Sequence, residues 1–172
     1  MRVHTAAHID AVRTVCERAE TSERIESVDQ DTKVSSASWD AAVGSVGSAI
    51  AAVRAVADGE VANACVATRP PGHHATPDRG MGFCIFNSAA LAARYAQEHH
   101  DIERVAIVDW DVHHGNGTQD IFYEDPSVHF FSTHQSPLYP GTGAVQETGR
   151  GDGKGTTLNR PFAAMSGMTE IG

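Results

Sequence analysis

The 172 residues predict an α/β fold, a parallel sheet with helices on both faces. Three observations carry that prediction. Short apolar runs rich in branched residues alternate with longer helix-like stretches, the signature of a buried parallel sheet. The runs are too short for core helices. Two histidine-rich segments, His73-His74 and the cluster from Asp109 to His114, each follow one of those runs. Open α/β sheets place their sites just there, beyond the carboxyl ends of the strands.

The elements follow in order. His4 to Glu20 reads as a helix, with Ala7, Val12 and Val15 among its apolar positions. Residues 21–37 are polar and predict a loop. Ser38 is the expected N-cap of a second helix reaching about Ala57, where Asp58-Gly59 ends it. Ala62 to Thr68 is small and branched and predicts a buried strand. The stretch 69–84 is expected to be loop, with proline and glycine concentrated in it. Ile85 to His99 reads as helix, capped by Asn87 or Ser88. Glu103 to Asp109 is the strongest strand, being apolar, branched and short. Gly117 to Tyr123 predicts a short helix, Ser127 to Ser132 a further strand, and 133–155, with six glycines, a loop. Neither repeat nor linker interrupts the chain, so one domain spanning 1–172 is expected.

Composition bounds the class. Thirteen Lys and Arg against 22 Asp and Glu give a formal charge of -9, which argues against nucleic acid or an anionic membrane as partner. No apolar run nears spanning length on this reading, and the amino terminus lacks an apolar signal core. Cys16, Cys65 and Cys84 form no CxxC pair, so a reducing cytoplasm is the expected setting.

Chemistry concentrates in two places. Asp111 and His113 stand two apart at a strand end, where an extended backbone would send both side chains the same way, toward one ion. A carboxylate oxygen with an imidazole nitrogen suits zinc or another borderline divalent metal. Such a pair elsewhere would read as a solvated turn; the preceding buried strand favours the metal. His73-His74 follows rigid Pro-Pro-Gly and could supply metal ligands, or a base beside an acid. His99-His100, at a helix end among polar residues, is given no role.

Four segments, Arg69-Pro-Pro-Gly-His-His-Ala75, Gly82-Phe-Cys-Ile-Phe-Asn87, Asp109-Trp-Asp-Val-His-His-Gly-Asn-Gly117 and Tyr139-Pro-Gly-Thr-Gly143, stand in the order seen in the histone deacetylase superfamily. The chain resembles that superfamily from about His4 to Pro161. The third segment looks more like the class II and polyamine-deacetylase branches than class I. The resemblance implies zinc-dependent hydrolysis of acetyl-lysine or acetylated polyamines. Asp111 and His113 would be zinc ligands. His74 would be the general base, with His73 its electrostatic or acid partner. Asp109 would orient His73, and Asn116 would stand behind His74 where class I enzymes carry Asp. Gly82, Phe83 and Tyr139 would line an acyl-chain tunnel, with Asp31 at its rim. Potassium would sit on backbone carbonyls of Asp109, Asp111 and His113 together with Ser132 and Thr133.

The superfamily's third zinc ligand and oxyanion tyrosine lie in the second half of its catalytic domain, and these 172 residues stop before either. The implication is a partial catalytic domain, weak zinc retention by two protein ligands, and little activity from the chain alone. Asp152 and Asp125 are poor substitutes for the third ligand. Missing strands would leave a sheet edge open to a partner or a homo-oligomer. Two other readings compete: an arginase-like hydrolase, which Gly115 and the Gly82-Phe83 segment oppose, and an inactive remnant that binds acylamines or a partner protein.

Overall fold

The computed structural model describes residues 3–171. The chain divides into two compact units, Met1–Glu103 and Arg104–Gly172.

In the first unit, α1 spans Ala6–Ser22. Thr5 starts it, its hydroxyl accepting the His8 N–H at 3.2 Å. The expected loop 21–37 contains a small antiparallel ladder, β1 Glu26–Ser27 against β2 Lys33–Val34. Helix α2 occupies Ser38–Ala57. Its N-cap is Ala37, not Ser38; the Ser38 hydroxyl instead accepts the Ser35 N–H at 2.9 Å. Helix α3 runs Ser88–His99, and of the two expected caps it uses Asn87, whose Oδ1 accepts the Ala90 N–H at 3.0 Å.

The core of this unit joins Val12 and Cys16 of α1 to Val34, Ala42, Ile85 and Phe86. Phe86 is its hub, with the rings of His4, His8 and Trp39 around it at 5.6–5.9 Å. His4 and His8 had no expected role, yet both are buried connectors. The Asn87 N–H donates to His4 Nε2 at 2.9 Å, so the ring proton is on Nδ1, which donates to the Thr76 carbonyl at 2.9 Å. His8 Nε2 meets the Ile85 carbonyl at 2.9 Å.

Two expectations fail in this unit. Residues 62–68 form no ladder and are exposed. An apolar run becomes a strand only when a neighbour takes up its N–H and C=O groups, and none of the described residues does so. Helix α2, with 20 residues and mean hydropathy 1.3, does reach the length and apolarity of a bilayer span, because Ala, Val and Ile dominate it. Within the unit, its Ser45 hydroxyl is tied to Thr68 Oγ1 at 2.9 Å and to the Pro70 carbonyl at 3.1 Å.

The second unit is a parallel sheet in the order β3-β4-β5, with β3 Val105–Asp109, β4 Val128–Gln135 and β5 Thr157–Phe162. Helix α4, Asn116–Phe122, makes the crossover from β3 to β4 and packs on β4. A single 3₁₀ turn, Gly151–Gly153, lies between β4 and β5, and a short helix α5, Met168–Ile171, follows. Phe122, Val128 and Phe130 form the apolar interior. Strand β4 outlasts its expected end at Ser132, and β5 was not expected at all. The cause is common to both. Inward positions of the central strand change from Val128 and Phe130 to Ser132 and His134, and those of β5 are Thr157 and Asn159. Apolar alternation therefore stops while the ladder continues. Pro161 is tolerated because β5 is the last strand of the sheet. Val108, Trp110, Val112 and Leu158 leave apolar surface exposed, Trp110 most of all at 82%.

Candidate functional site

In the first unit, the Pro-Pro-Gly-His-His segment is drawn against the start of α3. A side chain at Gly72 would stand 2.7 Å from the Ser88 nitrogen and 2.9 Å from the Phe86 carbonyl, so only glycine allows the approach. The next two residues are His73, half-buried, and His74, buried, with ring centroids 4.0 Å apart. The His74 N–H faces Cys84 Sγ at 3.5 Å, which links this segment to Gly82-Phe83.

Asp31 also belongs to this neighbourhood. Its Oδ1 accepts the Gly82 N–H at 3.1 Å and the Thr32 hydroxyl at 3.0 Å, and that hydroxyl accepts the Phe83 N–H at 3.1 Å. Phe83 holds φ at 64° and is 61% exposed. The 31–32 loop thus holds the backbone from which this exposed aromatic residue projects.

In the second unit, β3 ends at Asp109, which lies in register with Ser132 of β4. Asp111 and His113 come together, though for another reason than strand pleating. Residues 111–113 bend beyond the strand. The Asp111 carboxylate closes the bend by accepting the His113 N–H at 2.8 Å, and the same oxygen lies 3.1 Å from His113 Nδ1. Asp109 supports the turn by accepting the Asp111 N–H at 3.2 Å. Tyr139 stands edge-on to the His113 ring at 6.2 Å. Asn116 opens α4 and is buried. The Ser132 hydroxyl meets His134 Nδ1 at 3.0 Å, and Thr133 pairs with Arg160 in the sheet. Asp125 caps the approach to β4, taking the Ser127 N–H at 2.8 Å, and Asp152 is exposed in the 3₁₀ turn. The partnerships implied for Asp109 with His73, and for Asn116 with His74, would join residues of different units.

Two donors about 2.0–2.2 Å from a tetrahedral ion lie roughly 3.4 Å from each other. Asp111 Oδ1 and His113 Nδ1, 3.1 Å apart on exposed side chains, fit that requirement as half of a coordination shell. Among the described residues, no group of three or more His, Cys, Asp and Glu side chains could hold an ion.

Behind this segment lies a buried polar cluster that sequence reading missed. His114 and His134 face each other at 4.8 Å, and Gly143 presses on both. A side chain at Gly143 would come 2.5 Å from His134 Nε2 and 2.6 Å from His114 Cγ, and φ there is +89°. Burial, reinforced by the facing His134, holds the His114 pKa down at about 4, against weaker opposing contributions from Gln119, Glu147 and Asp109. Burial lowers His134 as well, against its contact with the Gly143 carbonyl and the charges of Asp109 and Glu147. Both rings are neutral near pH 7. Burial pushes the Glu147 carboxyl up, but hydrogen bonds from Gln119, Ala144 and Gly143 outweigh it and keep the group ionised. The available signal was positional: polar residues on inward strand positions next to a Pro-Gly-Thr-Gly loop.

Comparison with known proteins agrees with the motif order. Residues 1–171 match the histone deacetylase domain. A histone deacetylase-like amidohydrolase of Pseudomonas aeruginosa is 40% identical over 97% of this chain and 43% of its own length. A probable deacetylase of Archaeoglobus fulgidus is 48% identical over 81% of this chain and 39% of its own. The HDA15 HD domain superposes with a TM-score of 0.87 at 41% identity, covering 92% of this chain and 45% of that one. The chain therefore spans less than half the length of these relatives. The fold, the four motifs in order and the match over residues 1–171 agree: the chain belongs to the histone deacetylase family.

Proposed function

We propose that the protein is a zinc-dependent amidohydrolase that removes acetyl groups from lysine side chains or polyamines. The observation that carries this reading is the convergence of Asp111 Oδ1 and His113 Nδ1 at 3.1 Å beside Tyr139, a carboxylate–imidazole pair suited to a divalent ion. Family membership, and relatives named as a deacetylase and an amidohydrolase, support the reaction class.

Asp111 and His113 would hold the ion. Zinc, when bound, polarises the acetyl carbonyl and acidifies water at neutral pH. His74 would accept the proton of the attacking water at a ring nitrogen, and the adjacent His73, starting protonated, would supply positive charge and give its own proton to the departing amine. The family resemblance supports a role for Asp109 in which it would accept the His73 ring N–H and orient that ring. Asn116, neutral where a carboxylate would raise the basicity of His74, leaves His74 a weaker base. By the same resemblance, Gly82, Phe83 and Tyr139 would line the acyl-chain path, and Asp31 would stand at its rim toward the substrate backbone or amine. Asp109 and Ser132 would contribute oxygens to a potassium ion, with the carbonyls of Asp111 and His113 and with Thr133; their register across β3 and β4 supports this. A net charge of -9 favours cationic amine substrates over nucleic acid. The proposed compartment is the cytoplasm; a rice and an Arabidopsis relative carry the word chloroplastic in their names.

The test is hydrolysis of an acetyl-lysine peptide and of N-acetylputrescine by a chelator-treated protein that carries these residues within a complete deacetylase domain, before and after zinc is restored. Activity that disappears with chelation and returns with zinc is expected there, and little activity from the 172 residues alone, which offer two protein ligands. Equal turnover of the complete domain without metal, or none with it, rejects the reading.

A further inference from the structure

The polar cluster behind Asp109–His113 contains one group that can only accept hydrogen bonds, and the direction of the whole chain follows from it. Glu147 takes three donors: the Ala144 N–H on Oε1 at 3.1 Å, and on Oε2 the Gly143 N–H at 3.1 Å and Gln119 Nε2 at 2.6 Å. Because the carboxylate cannot donate, the Gln119 amide nitrogen faces it and Gln119 Oε1 must face the other way. That oxygen accepts Asn159 Nδ2 at 2.7 Å and lies 3.1 Å from His114 Nε2. An amide oxygen also cannot donate, so the His114 proton sits on Nε2. Nδ1 is then a bare lone pair, and the Thr142 hydroxyl donates to it at 2.8 Å.

The relay therefore starts at Glu147, passes through α4, and returns to the same loop five residues earlier. Its two ends clasp the stretch 142–147. His134 adds a second tie, donating from Nε2 to the Gly143 carbonyl at 3.0 Å. Residues on both sides of this clasp belong to the proposed site: Tyr139 precedes Thr142 in the loop, and His113 is bonded directly to His114.

We propose that Glu147 is a positioning residue that fixes the Nε2–H tautomer of His114 and locks the Tyr139–Glu147 loop beside His113. Its bearing on catalysis rests on the deacetylase reading; the tautomer and the loop do not.

Histidine-labelled protein at neutral pH tests this by two-bond ¹H–¹⁵N correlation, with amide exchange measured alongside. Wild type is expected to show His114 protonated on Nε2. Glu147→Gln, which presents a donor where three donors now converge, is expected to populate the Nδ1–H form and to speed exchange at Gly143 and Ala144 by about tenfold. Gln119→Leu, which removes the acceptor from Nε2 and leaves Glu147 on its loop amides, is expected to change the tautomer with less effect on exchange. It serves as the readout should Glu147→Gln fail to fold. His114 protonated on Nδ1 in wild type, or an unchanged tautomer in the folded variants, overturns the proposal. Neither readout needs substrate, so both stand or fall independently of the deacetylase reading.

Discussion

Asp31 Oδ1 accepts the backbone N–H of Gly82 across 51 residues of sequence, and Thr32 does the same for Phe83. The acidic side chain at the proposed rim therefore also builds the wall beside it. Asp31→Ala should lower kcat/KM for an acetylated amine by about tenfold or more, since it removes a charge-assisted hydrogen bond as well as a negative charge. Asp31→Asn keeps an acceptor for Gly82 and should mainly raise KM. Equal kcat/KM for both variants and wild type would remove Asp31 from the rim.

Removal of either proposed ligand has a readout that needs no turnover. Asp111→Asn or His113→Ala should weaken zinc binding by at least about a hundredfold, because the remaining donor cannot hold a tetrahedral ion. Competition against a chromophoric chelator measures it. Asp152→Asn, in the exposed 3₁₀ turn, should leave zinc affinity unchanged.

Gly143 combines a left-handed φ of +89° with two imidazoles less than 3 Å from where a side chain would begin. Gly143→Ala should cost roughly 2–4 kcal/mol, from backbone strain together with overpacking of rings that cannot retreat. Denaturant midpoints give the comparison. Gly141→Ala is the control: it shares a positive φ of +88° but opens onto empty space, and should lose only the conformational part.

Acid should destabilise the first unit through His4. Burial, then the neighbouring His8, lowers its pKa from 6.5 to about 4. Between those values the unfolded chain binds a proton that the folded chain refuses, so stability falls as pH drops below 6.5 and levels off near 4. The full effect is at most roughly 3 kcal/mol at 1.36 kcal/mol per pH unit. His4→Gln, which can still donate to Thr76 and accept from Asn87, should flatten that part of the acid limb. An unaltered decline from pH 6.5 to 4 in urea midpoints would reject His4 as the cause.

The contacts within the candidate site that were legible before folding are the local ones. Asp111 and His113 meet through a bend closed by the Asp111 carboxylate, and His73 and His74 lie ring to ring as chain neighbours, so short sequence spans contain these contacts. The strand Val105–Asp109 and the helix Ser88–His99 were legible for a similar reason: burial writes a period into the apolar residues, and Asn87 marks where the helix begins. Only the tertiary structure decided what depends on distant partners. Residues 62–68 carry a strand's composition yet form no ladder, because pairing belongs to the neighbour as much as to the run. Strand β5 escaped notice because its inward residues, Thr157 and Asn159, serve a polar cluster rather than an apolar core. Gln119, Thr142 and Glu147 read as ordinary loop and helix polar residues. Their roles exist only where the fold sets Glu147 against Gln119, 28 positions away, and makes one acceptor dictate the direction of every hydrogen bond behind it.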